Sequence, residues 1–191
     1  MTRPLVIVIS GLPCSGKTAL GKRIARSFSM PFISKDDFKE RLFDALGWTD
    51  RAWSKKLSAA SYSLMFGVLE AELEAGCSCI LEGNFDPTTH SQSFEGLRRA
   101  HDFEVFQIHC VTDADVLLER FQARWVSGTR HPGHADDVTF PEMQALVSQK
   151  PLALEIGGTI WELDTTELDR IDDASIFAAI ASRLGISSKP G

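Results

Sequence analysis

Gly11-Leu12-Pro13-Cys14-Ser15-Gly16-Lys17-Thr18 fits the pattern G-x-x-x-x-G-K-[S/T], and its setting decides the fold. It follows directly on the apolar run Leu5–Ser10, which reads as a strand. It opens a helical pattern from Lys17 to about Phe28, with Leu20, Ile24 and Phe28 spaced i, i+4, i+8. Strand, glycine-bounded loop and helix are the context in which this pattern binds phosphate. Gly11 and Gly16 permit backbone angles closed to other residues and let the chain approach a phosphate closely. Backbone amides from about Cys14 through Ser15 to Thr18 point into one concavity, and the helix adds its positive end. Gly11, Pro13, Cys14, Ser15, Gly16, Lys17 and Thr18 are therefore the expected nucleotide-binding residues. Lys17 is expected on the β- and γ-phosphates, and the Thr18 hydroxyl on Mg²⁺. No sequence-local partner makes Cys14 a nucleophile.

Outward from the loop, apolar runs alternate with helical patterns. The runs are Leu5–Ser10, Pro31–Ser34, Cys79–Glu82, Glu104–Cys110 and Thr159–Leu163. Continuous apolar runs suit strands covered on both faces, and their alternation with helices predicts a parallel α/β sheet. Helices are expected over Lys17–Phe28, Asp36–Leu46, Asp50–Ala75, Asp113–Ser127, Pro141–Gln149 and Asp172–Leu184, with Gly47, Gly76 and Gly185 as stops. The long third helix carries Trp53, Leu57, Ala60, Leu64 and Val68 on one stripe. There is no repeat and no low-complexity linker, so residues 1–186 read as one domain and 187–191 as a flexible tail.

The chain has 191 residues, 43 % of them hydrophobic and 24 % charged, which excludes collagen-like and disordered classes. Four cysteines are too sparse for a disulfide framework, and Cys77 and Cys79 read as strand or strand-edge residues. Twenty basic against 26 acidic residues leave a net charge of −6, which argues against a general nucleic-acid partner. No apolar run reaches the length of about 18 residues that a membrane span needs, and a cytoplasmic location is expected.

The acceptor side is read from three segments. In Ser34-Lys35-Asp36-Asp37-Phe38-Lys39, Asp36 and Lys39 lie at i, i+3 on one helix face, beyond the carboxyl end of a strand, where open α/β sheets place their ligands. Asp36 is placed to accept a proton from an acceptor hydroxyl, and Lys39 to hold an anionic substrate or neutralise charge. Asp37 reads as a cap or ion-pair residue. In Leu81-Glu82-Gly83-Asn84-Phe85-Asp86, Glu82 is the candidate carboxylate for Mg²⁺. Asn84 is a candidate substrate contact, while Asp86 before Pro87 reads either as facing substrate or as a turn or cap. Arg120 and Arg124 are i, i+4 on one helix, and Arg130 follows in a Gly/Pro-bounded loop. Arginines closing over a transferring phosphoryl group would stabilise its charge, so residues 125–140 are expected to form a lid. His131 and His134 lack the spacing of a dedicated metal site. Trp48 and Trp53 are expected to pack in the core.

In their order, GLPCSGKT, SKDDFKE, LEGNFDP and ERFQAR…RHPGHAD resemble the adenylate-kinase-like P-loop kinases over about residues 4–170. Within them the likeness is to the group holding polynucleotide 5′-kinases, zeta-toxin-type sugar-nucleotide kinases and small antibiotic or sugar kinases. The resemblance implies a three-layer fold, with a five-stranded parallel sheet in order 2-3-1-4-5, helices on both faces and an arginine-bearing lid over ATP. It implies that Asp36 is the base, that Arg120 lies near adenine or phosphate, and that Arg124 contacts the transferring phosphoryl group. It also implies that Thr165, in Leu163-Asp164-Thr165-Thr166, belongs to the adenine-side loop. Polynucleotide kinases carry Arg where this chain has Lys39, a change that loses a bidentate fork. Glu82 stands where relatives commonly have Asp. The expected activity is an ATP- and Mg²⁺-dependent kinase acting on a hydroxyl of a small molecule. The alternatives are a polynucleotide 5′-kinase and a non-catalytic ATP-binding regulator.

Overall fold

The computed structural model describes residues 3–149 and 152–186, at 136 and 137 the backbone alone. Five strands, β1 (Leu5–Gly11), β2 (Phe32–Ser34), β3 (Cys79–Glu82), β4 (Glu104–Val111) and β5 (Thr159–Asp164), form one sheet. All its pairings are parallel, in the order β2-β3-β1-β4-β5. The helices are α1 (Lys17–Phe28), α2 (Lys35–Leu46), α3 (Arg51–Glu74), α4 (Pro87–Ala100), α5 (Ala114–Ser127), α6 (Asp136–Val147) and α7 (Asp173–Leu184).

β1 shows why the sheet is sandwiched. Every residue in it is buried, and successive side chains point to opposite faces. Leu5, Ile7 and Ile9 join Leu20 and Ile24 of α1 and Ile176 and Ile180 of α7. Val6 and Val8 join Met65, Leu69 and Leu73 of α3 and Phe94 and Leu97 of α4. A third, smaller cluster of Leu117, Phe121 and Met143 ties α5 to α6, with Leu12 and Cys14 of the glycine loop packed against it. Among the described residues no helix is long and apolar enough to cross a membrane.

Four sequence expectations change. α4 went unread, because its buried positions His90, Ser91, Phe94 and Leu97 include only two apolar residues. Asp86 caps it, accepting from the Thr88 amide at 2.9 Å, with Pro87 in the first turn. The buried stripe of α3 is Ser54, Leu57, Ser61, Met65, Leu69 and Leu73, displaced from the apolar stripe, and Leu64 is 47 % exposed. Ser61 is buried because its hydroxyl donates to the Leu57 carbonyl at 2.6 Å. α6 begins at Asp136 and contains Pro141 rather than starting there. Trp48 is 49 % exposed and Trp53 half-buried, its indole N–H donating to the Gly47 carbonyl at 3.0 Å, so neither is a core residue. Cys79 lies in β3, whereas Cys77 is exposed before it. The expected tail, 187–191, lies outside the described residues.

Candidate active site

The carboxyl ends of β1, β2 and β3 bring three short segments together. The register sets Ser34 beside Glu82, Glu82 beside Ile9, and Gly11 beside Cys110. Gly11 has φ +139°, and a Cβ there would lie 2.4 Å from the Cys110 carbonyl oxygen. Gly16 has φ +81° and caps α1 without any side-chain hydrogen bond. The first amides of α1 are thus left for an anion. Cys14 holds φ +66°, a conformation rare outside glycine, with its half-buried side chain against the α5–α6 cluster. Lys17 is buried and folds back across its own loop. Its ammonium donates to the Leu12 carbonyl at 2.6 Å and the Ser15 hydroxyl at 3.4 Å. Burial lowers its pKa, while Glu82, Cys110 and Asp36 act to raise it.

Glu82 is buried at the end of β3, accepting from the Ser34 hydroxyl at 2.8 Å. The Thr18 hydroxyl also donates to it. Burial raises the Glu82 pKa, against the pull of Lys17 and these hydroxyls. A carboxylate and a hydroxyl side by side are hard oxygen donors. Magnesium needs only one or two protein oxygens, the rest coming from water and phosphate. Thr18 and Glu82 therefore fit Mg²⁺.

Next to the loop lies a cavity of about 220 Å³, with Pro13 and Asn84 in its wall. Asp36 is held there from both sides. Lys35 Nζ lies 3.0 Å from Oδ1 and Arg130 Nη2 2.8 Å from Oδ2. Enclosure alone would raise the Asp36 pKa, but Lys35 and Arg130 outweigh it and hold the carboxyl well below the usual carboxylate range. Arg51, at the start of α3, grips Glu142 of α6 through two guanidinium nitrogens, Nε to Oε1 at 3.0 Å and Nη2 to Oε2. Tyr62 donates to the Asn84 carbonyl at 2.7 Å. Lys39 is 4 % exposed, its ammonium 5.3 Å from the Phe43 ring centre. Burial, reinforced by Lys35, lowers its pKa to about 7, with Asp36 opposing. Asp37 is exposed and makes neither a cap nor an ion pair among the described residues.

The segment after α5 lies across α2. Pro132–His134 forms a 3-10 turn, and Gly133 packs so tightly on Phe43 that a Cβ would lie 2.7 Å from the ring. His131 stacks on Phe43 with ring centres 5.1 Å apart, meets Trp48 edge-on at 4.8 Å, and reaches Asp44 at 3.2 Å. His134 is buried, 2.9 Å from Glu40, and burial followed by Arg130 pushes its pKa down to about 2, so it is neutral. Both histidines fasten this segment to α2.

The three arginines part company. Arg130 enters the cavity. Arg120 donates to the carbonyls of Thr165 at 3.0 Å and Thr166 at 2.7 Å. Arg124 lies over the Phe121 ring at 5.0 Å and lines a second hollow, which it shares with Arg130, Trp125 and His131. Thr165 is buried with its hydroxyl 2.6 Å from that of Thr112, so Arg120 and Thr165 anchor the loop after β5. Sequence reading missed Lys35, Arg51, Tyr62 and Glu142. Lys35 had a signal, adjacency to Asp36; the other three reach the cavity only through the packing of α3 and α6.

Residues 6–149 match the family model AAA_33, described as an AAA domain. The chain belongs to this AAA-domain family. No curated protein matches its sequence. It is 35 % identical to a "putative kinase" from Chloroflexus aurantiacus J-10-fl, over 95 % of this chain and 99 % of that one, with a TM-score of 0.89. More distant structures share the fold. A sugar kinase from Janibacter sp. HTCC2649 has 19 % identity and a TM-score of 0.58, covering 98 % of this chain and 96 % of its own. Shikimate kinase from Bacteroides thetaiotaomicron has 22 % identity and a TM-score of 0.51, covering 95 % and 99 %. The sheet order and the phosphate-binding loop are those of a kinase-like P-loop fold.

Proposed function

We propose that the protein is an ATP- and Mg²⁺-dependent kinase that transfers the γ-phosphoryl group to a hydroxyl of a small molecule. The observation that carries this reading is a single cavity in which Pro13 of the phosphate-binding loop faces Asp36 and Arg130. It is supported by the likeness to the Chloroflexus "putative kinase" along nearly the whole of both chains.

In this reading the amides of residues 14–18 and the Lys17 ammonium hold the triphosphate. Lys17 exchanges its internal bonds to Leu12 and Ser15 for phosphate oxygens. Thr18 and Glu82 would hold Mg²⁺, which supplies neutralisation of the β- and γ-phosphate charge. The acceptor oxygen bonds to the γ-phosphorus as the bond to the β,γ-bridging oxygen breaks, and ADP departs. The hydroxyl proton goes to Asp36. With Lys35 and Arg130 attached, Asp36 is a weak base. Its main work is to orient the hydroxyl, which suits a loose transition state in which the proton leaves late. Arg130 and Arg124 would neutralise charge at the transfer, Arg130 from within the cavity and Arg124 from its position over Phe121. Arg120 and Thr165 shape the adenine-side loop.

The test is Asp36→Asn against a library of hydroxyl compounds with labelled ATP. Turnover is expected to fall by about 10²–10⁴, with MgATP affinity within about threefold of wild type. Transfer at the native rate would remove Asp36 from the mechanism, and wild-type protein that binds MgATP yet phosphorylates nothing would favour a nucleotide-binding regulator.

A further inference from the structure

We propose that Lys39 is the floor of an anion subsite and that the hydroxyl acceptor is itself an acid, carrying a carboxylate or phosphate group at the Lys39 end of the cavity. The inference rests on the kinase reading and deepens it by naming the acceptor's chemical class.

The charged groups of the cavity differ in what they already have. Lys35 and Arg130 are engaged by Asp36 at 3.0 and 2.8 Å. Arg51 is gripped by Glu142. Lys39 makes neither a hydrogen bond nor an ion pair among the described residues; its neighbour is the face of Phe43. At 4 % exposure it cannot rely on water, yet its side chain lines the cavity. A buried ammonium whose opposing carboxylate, Asp36, is already paired with Lys35 and Arg130 is costly, and an apolar residue would fill the same space without that cost. An anion entering the cavity supplies the missing partner.

Geometry sets what the anion belongs to. Asp36 and Lys39 are three residues apart on α2, so their side chains leave the same helix face about 5–6 Å apart. A hydroxyl on Asp36 and an acid group on Lys39 then sit on one molecule only a few bonds apart. A cavity of about 220 Å³ walled by α2, α3 and α6 holds a small metabolite. The ammonium, a compact point charge, accepts a carboxylate or a phosphate ester alike.

The two sources separate in one experiment. The phosphate-binding loop is first filled with magnesium and the non-hydrolysable analogue AMPPNP, followed by calorimetry. Sodium sulfate, standing for a phosphate ester, and sodium acetate, standing for a carboxylate, are then titrated at constant ionic strength. The expected result is saturable binding of at least one of them, its Kd raised at least tenfold in Lys39→Met and retained in Lys39→Arg. Sulfate alone marks a phosphate monoester as acceptor, and acetate alone a hydroxycarboxylate. Equal binding in wild type and Lys39→Met, or no saturable binding of either anion by wild type, overturns the proposal. Failure to bind the nucleotide analogue would instead sink the kinase reading, so the two failures are distinct.

Discussion

An ammonium buried without a hydrogen bond or ion pair among the described residues leaves a signature in stability that needs no ligand to be seen. Lys39 titrates near pH 7 in the folded chain, under the influence of burial, Lys35, Asp36, Arg51 and Arg130, but near 10.5 when unfolded. Below pH 7 both states carry the charge and the folded state bears its full cost. Between pH 7 and 10.5 the unfolded state binds more protons, so stability rises with pH there. Lys39→Met is therefore expected to be more stable than wild type, by about 1–2 kcal/mol or 2–8 °C in Tm near pH 6. Thermal melts across pH 6–10 should show the gap narrowing as pH rises; a gap that is absent or pH-independent would mean that Lys39 is solvated. At this scale Lys17, Thr18, Asp36 and Glu82 were legible, because each lies within a few residues of a strand end and local spacing alone places them. The partners of Asp36 were only half legible. Lys35 is its neighbour in sequence, whereas Arg130 arrives from 94 positions away.

Elements impose constraints of their own, and Gly21 of α1 is the clearest. A Cβ there would lie 2.4 Å from Cε2 of Phe32 and 3.1 Å from Cδ1 of Ile9, closing the gap between α1 and the sheet. Gly21→Ala should raise intrinsic helix propensity by about 1 kcal/mol and still destabilise the protein. Overpacking is expected to leave a net loss of about 1–2 kcal/mol and a Tm lower by about 2–8 °C. A Tm at or above wild type would show that Phe32 moves aside freely. Helix periodicity read α1, α5 and α7 closely but misplaced the buried stripe of α3. The reason is chemical: Ser54 and Ser61 face inward because their hydroxyls find backbone carbonyls, at Gly133 and Leu57. A pattern counted on apolar residues cannot see a serine satisfied by a distant turn. The segment after α5 was read as a basic, glycine-bounded loop; its 3-10 turn depends on Phe43, against which Gly133 and both histidines dock.

For the molecule as a whole, a nucleotide held by β1, α1 and the end of β3 touches the centre of the sheet, so binding and folding are linked. MgADP at a hundredfold excess over its Kd should stabilise the native state by about 2.7 kcal/mol, or about 5–10 °C in Tm. Lys17→Ala, which removes the loop's cation, should abolish most of that shift in differential scanning fluorimetry while folding normally. A full shift in Lys17→Ala would place the nucleotide elsewhere.

The chain by itself determined the phosphate-binding loop, the five strands and their parallel class. These rest on local backbone chemistry and on runs of side chains that must be covered on two faces. Resemblance to a family supplied the strand order. Only the tertiary structure decided the cavity beside that loop, because Lys39, Arg51, Arg130 and Glu142 come from three helices and a turn that meet through packing. Whether a charge finds a partner there depends on distances that no spacing along the chain encodes.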